Sequence, residues 1–309
     1  MTRPGLLAVG GAHVDRRGRV SGAFVPGASN PGHMREDVGG GAFNAARCAV
    51  RHGLRAAMFS VRGGDRAGTT VAEAIAAAGM ADLSVCYLDR ATPSYTAILD
   101  TDGEPVAALA DMELYEIAFA KQVRRRAFRD AVAEADAILI DANLPEPAIA
   151  GVLAASSGRP VHAIGVSPAK VVRLRPHLAA LSGVFLNRRE AAALAAEAGD
   201  GPRGGMADTG ADFVVVTDGS REIEAWRGGR CWRLVPPRPE HVADATGAGD
   251  ALAGAMVAAL SRGISFPEAL RCGVAAAVMT VAAMEAVAED DDTVYAAVLD
   301  RVPEPRLEA

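Results

Sequence analysis

The stretch Asp244-Ala245-Thr246-Gly247-Ala248-Gly249-Asp250 runs directly into an apolar segment, 251–260. Gly-Ala-Gly at the start of a helix leaves several backbone N–H groups uncovered by side chains. These groups sit at the positive end of the helix dipole and together form an anion hole, from the N–H groups of Ala248, Gly249 and Asp250 with Gly247 giving room. Asp250 falls in the first turn of that helix. A carboxylate held beside an anion hole can take the proton of a hydroxyl group as its oxygen attacks a phosphoryl group. A lone Gly-x-Gly is more simply a turn whose Asp stabilises the helix start. The whole seven-residue run points to phosphoryl transfer.

The rest of the composition narrows how such chemistry can be done. Only two of the 32 basic residues are lysines, Lys121 and Lys170. Ala120 and Ala169 precede them, so no Gly-Lys-Ser/Thr phosphate loop exists, and no V-A-I-K strand lysine either. Phosphate must then be handled by backbone N–H groups, a divalent ion or arginine. Gly39-Gly40-Gly41-Ala42-Phe43-Asn44 lacks the third glycine of a dinucleotide loop, which disfavours a nicotinamide-dependent dehydrogenase. H-E-x-x-H and G-x-S-x-G are both missing. Cys48, Cys86, Cys231 and Cys272 are widely spaced, which suits free buried thiols better than zinc ligands or a redox pair. A net charge of −6 disfavours nucleic acid as a partner. The uncharged run 272–284 is too short for a membrane span, and segment 5–14 lacks a cleavage pattern, so the chain reads as cytoplasmic.

Elements that can position these residues follow from periodicity. Short apolar runs at 6–9, 55–60, 137–140, 161–164, 184–186 and 213–217 read as buried strands. Segments 42–52, 67–78, 147–155, 188–198, 248–261, 267–284 and 293–299 read as helices. Alternation of the two predicts one α/β domain over residues 1–309, with a mostly parallel sheet between helical layers. Segments 12–38 and 94–113 break that rhythm. They are rich in turn residues, with a hairpin signal at Thr101-Asp102-Gly103, and are expected to form a small β lid. A second hairpin is expected at 222–235 around Gly228-Gly229.

The seven-residue run resembles the C-terminal signature of the PfkB (ribokinase-like) family of carbohydrate and nucleoside kinases. Other segments are similar in the same order: Gly11-Ala12-His13-Val14-Asp15, Gly39-Gly40-Gly41-x-x-Asn44, Gly64-Asp65-x-x-Gly68 and Asn187-x-x-Glu190. The resemblance implies a ribokinase-like three-layer sandwich with a small β lid, ATP as donor and Mg²⁺ as cofactor. It implies that Asp250 is the base, and that Asp15, Gly40, Gly41 and Asn44 hold the acceptor. Asn187, Thr217, Gly219, Gly247 and Gly249 would contact the nucleotide, with Glu190 near Mg²⁺ through water. A monovalent cation such as K⁺ is implied near Asp244 and Thr246. The exposed face of the lid would be a homodimer surface. Taken singly, Asp15 could end a strand, Asn44 could be an ordinary first-turn residue and Glu190 a solvated charge.

Ser29-Asn30-Pro31-Gly32, Ala110-Asp111-Met112, Asp141-x-Asn143-Leu144 and Val166-Ser167-x-x-Lys170 resemble the pseudouridine kinase branch of that family. The expected reaction is therefore ATP-dependent phosphorylation of a ribose 5′-hydroxyl, with pseudouridine as acceptor. Asn30 and Asp111, on the two lid segments, would read the base, and Lys170 is a further candidate acceptor contact. Alternatives are another acceptor of the family (adenosine, ribose or a keto-sugar acid) or a non-catalytic sensor on the same fold. Three departures stand out. His13 replaces a usual Asn, Gly165 and its neighbours lack the usual Asp-Pro, and Asp218 places a carboxylate near the expected phosphates.

Overall fold

The computed structural model describes residues 3–196, 209–239, 241–242, 245–283 and 292–308. In chain order its strands are β1 (Gly5–Val9), β2 (His13–Val20), β3 (Gly32–Gly39), β4 (Arg55–Phe59), β5 (Val61–Gly63), β6 (Ala81–Asp82), β7 (Val85–Tyr87), β8 (Ser94–Leu99), β9 (Pro105–Asp111), β10 (Ala137–Asp141), β11 (Val161–Ile164), β12 (Gly183–Asn187), β13 (Phe213–Thr217), β14 (Ile223–Arg227), β15 (Arg230–Leu234) and β16 (Arg306–Glu308). The helices are α1 (Gly41–Arg51), α2 (Arg66–Ala77), α3 (Glu113–Gln122), α4 (Arg126–Glu134), α5 (Glu146–Ala155), α6 (Pro168–Val171), α7 (Arg188–Ala195), α8 (Ala248–Ser261), α9 (Phe266–Ala282) and α10 (Asp292–Arg301).

Ten of the described strands form the central sheet, in the order β16-β15-β14-β13-β12-β11-β10-β1-β4-β6. From β6 to β13 all neighbours are parallel; β14, β15 and β16 are added antiparallel at one edge. The interior parallel strands β1, β10, β11, β12 and β13 are buried along nearly their whole length and are mostly apolar, because both faces are covered. Their side chains alternate between two cores. Leu6 and Ala8 face a core shared with α1, α2, α8 and α9, while Leu7 and Val9 face one shared with α3, α4, α5 and α7. Leu139 and Val215 join the first core; Ile138, Ile140 and Val216 join the second. Each fully buried Leu, Ile or Val contributes about 1.5–3 kcal/mol of transfer free energy, which makes these strands the rigid base of the molecule.

The two irregular segments pair with each other in a four-stranded sheet, β3-β2-β8-β9. Here β2 runs antiparallel to β3 and parallel to β8, and β9 closes the edge with every residue exposed. A separate two-stranded ladder, β5–β7, and helices α3 and α4 have no counterpart in the periodicity reading. In α3 the buried Leu114, Tyr115, Ala118 and Phe119 sit among an exposed Ile117 and several charges, so its apolar stripe is blurred. The ends of the helices expected at 188–198 and 267–284 lie partly outside the described residues.

Candidate active site

Two helices from the same face of the sheet bring the chemistry together. α1 begins beyond Gly40, whose φ of 114° is a left-handed conformation that favours glycine. A Cβ there would collide with the Gly11 carbonyl, so the β3–α1 turn can close against the end of β1 only with glycine. α8 begins beyond Gly247, with φ 80°. The two helices then pack so tightly that a Cβ on Gly254 would collide with the Ala45 carbonyl. Ala251, Ala255, Ala258 and Ala259 keep the rest of α8 narrow, which is the use of its alanine content.

That approach sets Asn44 against Asp250. Asn44 Nδ2 donates to Asp250 Oδ2 at 3.0 Å, while the buried Oδ1 of Asn44 has no partner among the described residues. Burial raises the Asp250 carboxyl to about 7; the Asn44 hydrogen bond opposes this, and the charges of Asp141, Glu190 and Asp15 add to it. A carboxyl with that value is half ionised near neutral pH, as a general base requires. At the start of α8 the Ala248 N–H turns back to the Ala245 carbonyl at 3.3 Å. The N–H groups of Gly249 and Asp250 have no partner among the described residues.

Asp250 lies on a cleft of about 270 Å³ that Gly41, Val166, Asn187, Glu190, Thr217, Thr246, Gly247 and Gly249 also line. Asn187 caps α7: its side chain accepts the Glu190 N–H, and Glu190 accepts the Asn187 N–H at 2.9 Å. Glu190 is thus buried rather than a solvated charge, and burial raises its carboxyl above the usual range. Gly165 leaves the room this carboxylate occupies. Both Glu190 oxygens are engaged by Asn187, but each keeps a lone pair, so the residue suits a hydrated divalent ion better than direct ligation. The described residues hold no cluster of three or more metal-ligating side chains. Of the monovalent-cation pair, Thr246 lies on the exposed rim and Asp244 lies outside the described residues. Thr217 ends β13, and Gly219 follows in an open turn. The unexpected Asp218 carboxylate meets Arg221 at 3.3 Å, which offsets its charge.

The other expected residues are placed unevenly. Asp15 sits on β2, 3.3 Å from His13 Nε2, and Gly39 lies so close that any Cβ there would strike the Asp15 carboxylate. Asp15 lines a second, larger cavity of about 750 Å³ between the lid and helices α1 and α2. Lys170 Nζ donates to Asn143 Oδ1 at 2.6 Å and is not on the Asp250 cleft. Asn30 is turned into its own loop: Oδ1 accepts the Val25 N–H at 2.8 Å, and Nδ2 donates to the Val25 and Ala28 carbonyls at 3.0 Å. Asp111 is exposed at the end of β9, paired through its backbone with Ser94. Neither reaches the Asp250 cleft.

Sequence reasoning assigned no role to Asp141, which is fully buried beneath Gly41 and Ala42, nor to Val166, whose φ of 68° is strained for a β-branched residue on the cleft wall. Both residues stand in segments that resemble the pseudouridine kinase branch, but nothing in the chain signals the Val166 backbone.

The family described as pfkB family carbohydrate kinase matches residues 4–292 of the chain. Pseudouridine kinase of Escherichia coli (strain K12) is 27% identical over 276 residues, which are 86% of this chain and 87% of that protein. A solved structure of a carbohydrate kinase from Agrobacterium tumefaciens is 41% identical, with a TM-score of 0.85 over 99% of this chain and 100% of that one. Arabidopsis thaliana ribokinase, complexed with ribose and ATP, shares the fold with a TM-score of 0.83 at 21% identity, covering 97% of this chain and 99% of that one.

Proposed function

Because this chain belongs to the pfkB family of carbohydrate kinases, we propose that it transfers the γ-phosphoryl group of ATP to the 5′-hydroxyl of a nucleoside, pseudouridine foremost. The observation that carries the phosphotransfer reading is the Asn44–Asp250 pair: a base raised to about 7, held 3.0 Å from a side-chain amide, beside N–H groups with no described partner. Asp250 takes the hydroxyl proton. The Gly249 and Asp250 N–H groups, with space left by Gly247, face the charge that builds on the transferring group. The unpartnered Asn44 Oδ1 accepts from an acceptor hydroxyl, and Asp15, Gly40 and Gly41 frame the same substrate. Asn187, Thr217 and Gly219 lie where they can meet the nucleotide. Glu190 would hold Mg²⁺ through water, and the ion would supply charge neutralisation on the phosphates. A cytoplasmic setting suits a reaction that consumes ATP, and no described helix is long and apolar enough to cross a membrane.

Pseudouridine is supported by the relative that matches along most of the chain and by the Ser29–Gly32 and Ala110–Met112 segments. A different sugar or nucleoside is the second reading, favoured by one observation: Asn30 spends its whole amide on its own loop. An ATP-consumption assay with pseudouridine, uridine, adenosine and ribose decides between them. Preference for pseudouridine by tenfold or more in kcat/KM supports the first reading, and equal or greater turnover of another acceptor removes it. The exposed β9 edge of the lid is a candidate face for a second copy of the chain.

A further inference from the structure

Asp141 ends β10 with 0% of its surface exposed. Its Oδ2 accepts the Gly11 N–H at 3.0 Å, the Ala42 N–H at 2.9 Å and Asn143 Nδ2 at 3.0 Å. Its Oδ1 accepts the Asn143 N–H at 3.0 Å. A buried carboxylate is costly unless several donors satisfy it, and a helix N-terminus adds to their effect. Here the donors come from three separate segments. Gly11 lies at the root of the lid strand that carries Asp15. Ala42 lies in the first turn of α1, two residues before Asn44. Asn143 is itself gripped by Lys170. Gly10 and Gly11 leave the space that this carboxylate fills.

Resting on the phosphotransfer reading above, we propose that Asp141 is the positioning residue of the site: its carboxylate ties the first turn of α1 to the lid root and so holds Asn44 against Asp250. It does not touch the reacting atoms. Its charge also bears on Asp250 in the sense opposite to Asn44. Asn44 from α1 contacts Asp250, and the charges that bear on it are those of Asp141 on β10, Glu190 on α7 and Asp15 on β2. The titratable groups on which the Asp141 charge bears are Tyr115 from α3, Lys170 from α6 and Asp250 itself.

The test uses the full-length chain with Asp141→Asn. One arm follows the Asn44 side-chain amide resonance by NMR as pH is changed in ligand-free protein, and so reports Asp250 ionisation without turnover. The expected result is a titration midpoint moved to lower pH by about half a unit or more. The other arm measures kinetics with whichever acceptor the wild type phosphorylates. It should show kcat reduced at least tenfold with the KM for ATP within about threefold. A folded Asp141→Asn protein with the wild-type midpoint and wild-type kcat overturns the proposal. If that variant does not fold, Asn143→Leu keeps the carboxylate but strips the side-chain amide that donates to its Oδ2 and, with it, the Lys170 anchor. It should shift the Asn44 resonance and lower kcat by a smaller factor; no change in either overturns the proposal. If the wild type phosphorylates no acceptor, the phosphotransfer reading fails and the NMR arm still decides the Asp141–Asn44 link.

Discussion

Asn44 and Asp250 are 206 residues apart in the chain and 3.0 Å apart in space, joined by a hydrogen bond from the amide of one to the carboxylate of the other. The bond places a candidate base under the control of a neutral partner. Asp250→Asn removes the base while keeping the shape. kcat is expected to fall by about 10²–10⁴-fold, and nucleotide affinity, measured by calorimetry, should change little. Near-normal turnover would take the proton-acceptor role away from Asp250.

The raised carboxyl sets a pH dependence. Since Asp250 must be ionised to accept a proton, kcat/KM for the acceptor should rise with pH up to about 7 and level off above it. Asn44→Ala deletes the interaction that opposes the rise, so the acid limb should move to higher pH. A limb that moves the other way would contradict the assigned geometry.

Stability follows with the opposite sign from a salt-bridged acid. The folded-state value lies above the unfolded one, so the favourable contribution is complete below about pH 4 and is lost as pH rises through about 7. Asp250→Asn should therefore gain on the wild type across that window, by roughly 1–3 kcal/mol at pH 8. Melting curves at pH 4 and pH 8 measure the difference.

Gly254 tests whether helix packing sets the site. Its added Cβ meets the Ala45 carbonyl, one residue from Asn44, and Gly254 itself lies one turn after Asp250. Gly254→Ala should cost about 1–3 kcal/mol by overpacking. It should also lower kcat more than it raises the KM for either substrate. Loss of stability with unchanged kcat would show that the pair tolerates the displacement.

Asn30 offers a prediction that the structure turns around. As a base-reading residue, its replacement would raise the KM for pseudouridine selectively. With its amide bound to Val25 and Ala28, Asn30→Ala should instead loosen the lid loop and raise the KM of every acceptor by a similar factor. A panel of acceptors separates the two outcomes.

The contrast between Glu190 and Asn30 shows what was legible in the chain. The alternation of short apolar runs with helical periods exposed the three-layer architecture, because each parallel strand must be apolar on both faces. Gly247–Asp250 was readable because its work is local, a helix start built from neighbours in sequence; Asn187-x-x-Glu190 entered through the resemblance alone, and the capping box that buries Glu190 went unread although its partners are three residues apart. Asn30 sits in an equally suggestive tetrapeptide, yet its partners were decided by a loop closing on itself. Asp141 was opaque for the reverse reason. Asn143 donates to it from two residues away, but the donors that give it reach, Ala42 and Gly11, lie 99 and 130 residues away, and only the fold brings them together. Helix α3 escaped notice because burial on one side and a stray exposed Ile117 on the other mask its period.

The close approach of α1 and α8 at Gly254 ties the Asn44–Asp250 pair to the larger core, whereas the four-stranded lid is a sheet of its own. The two bodies nevertheless share one fastening: Asp141 accepts the Gly11 N–H at the root of the lid and the Ala42 N–H in the first turn of α1. A displacement of the lid root is therefore felt at the helix that carries Asn44, and the sheet that covers the molecule is mechanically a lever on its core.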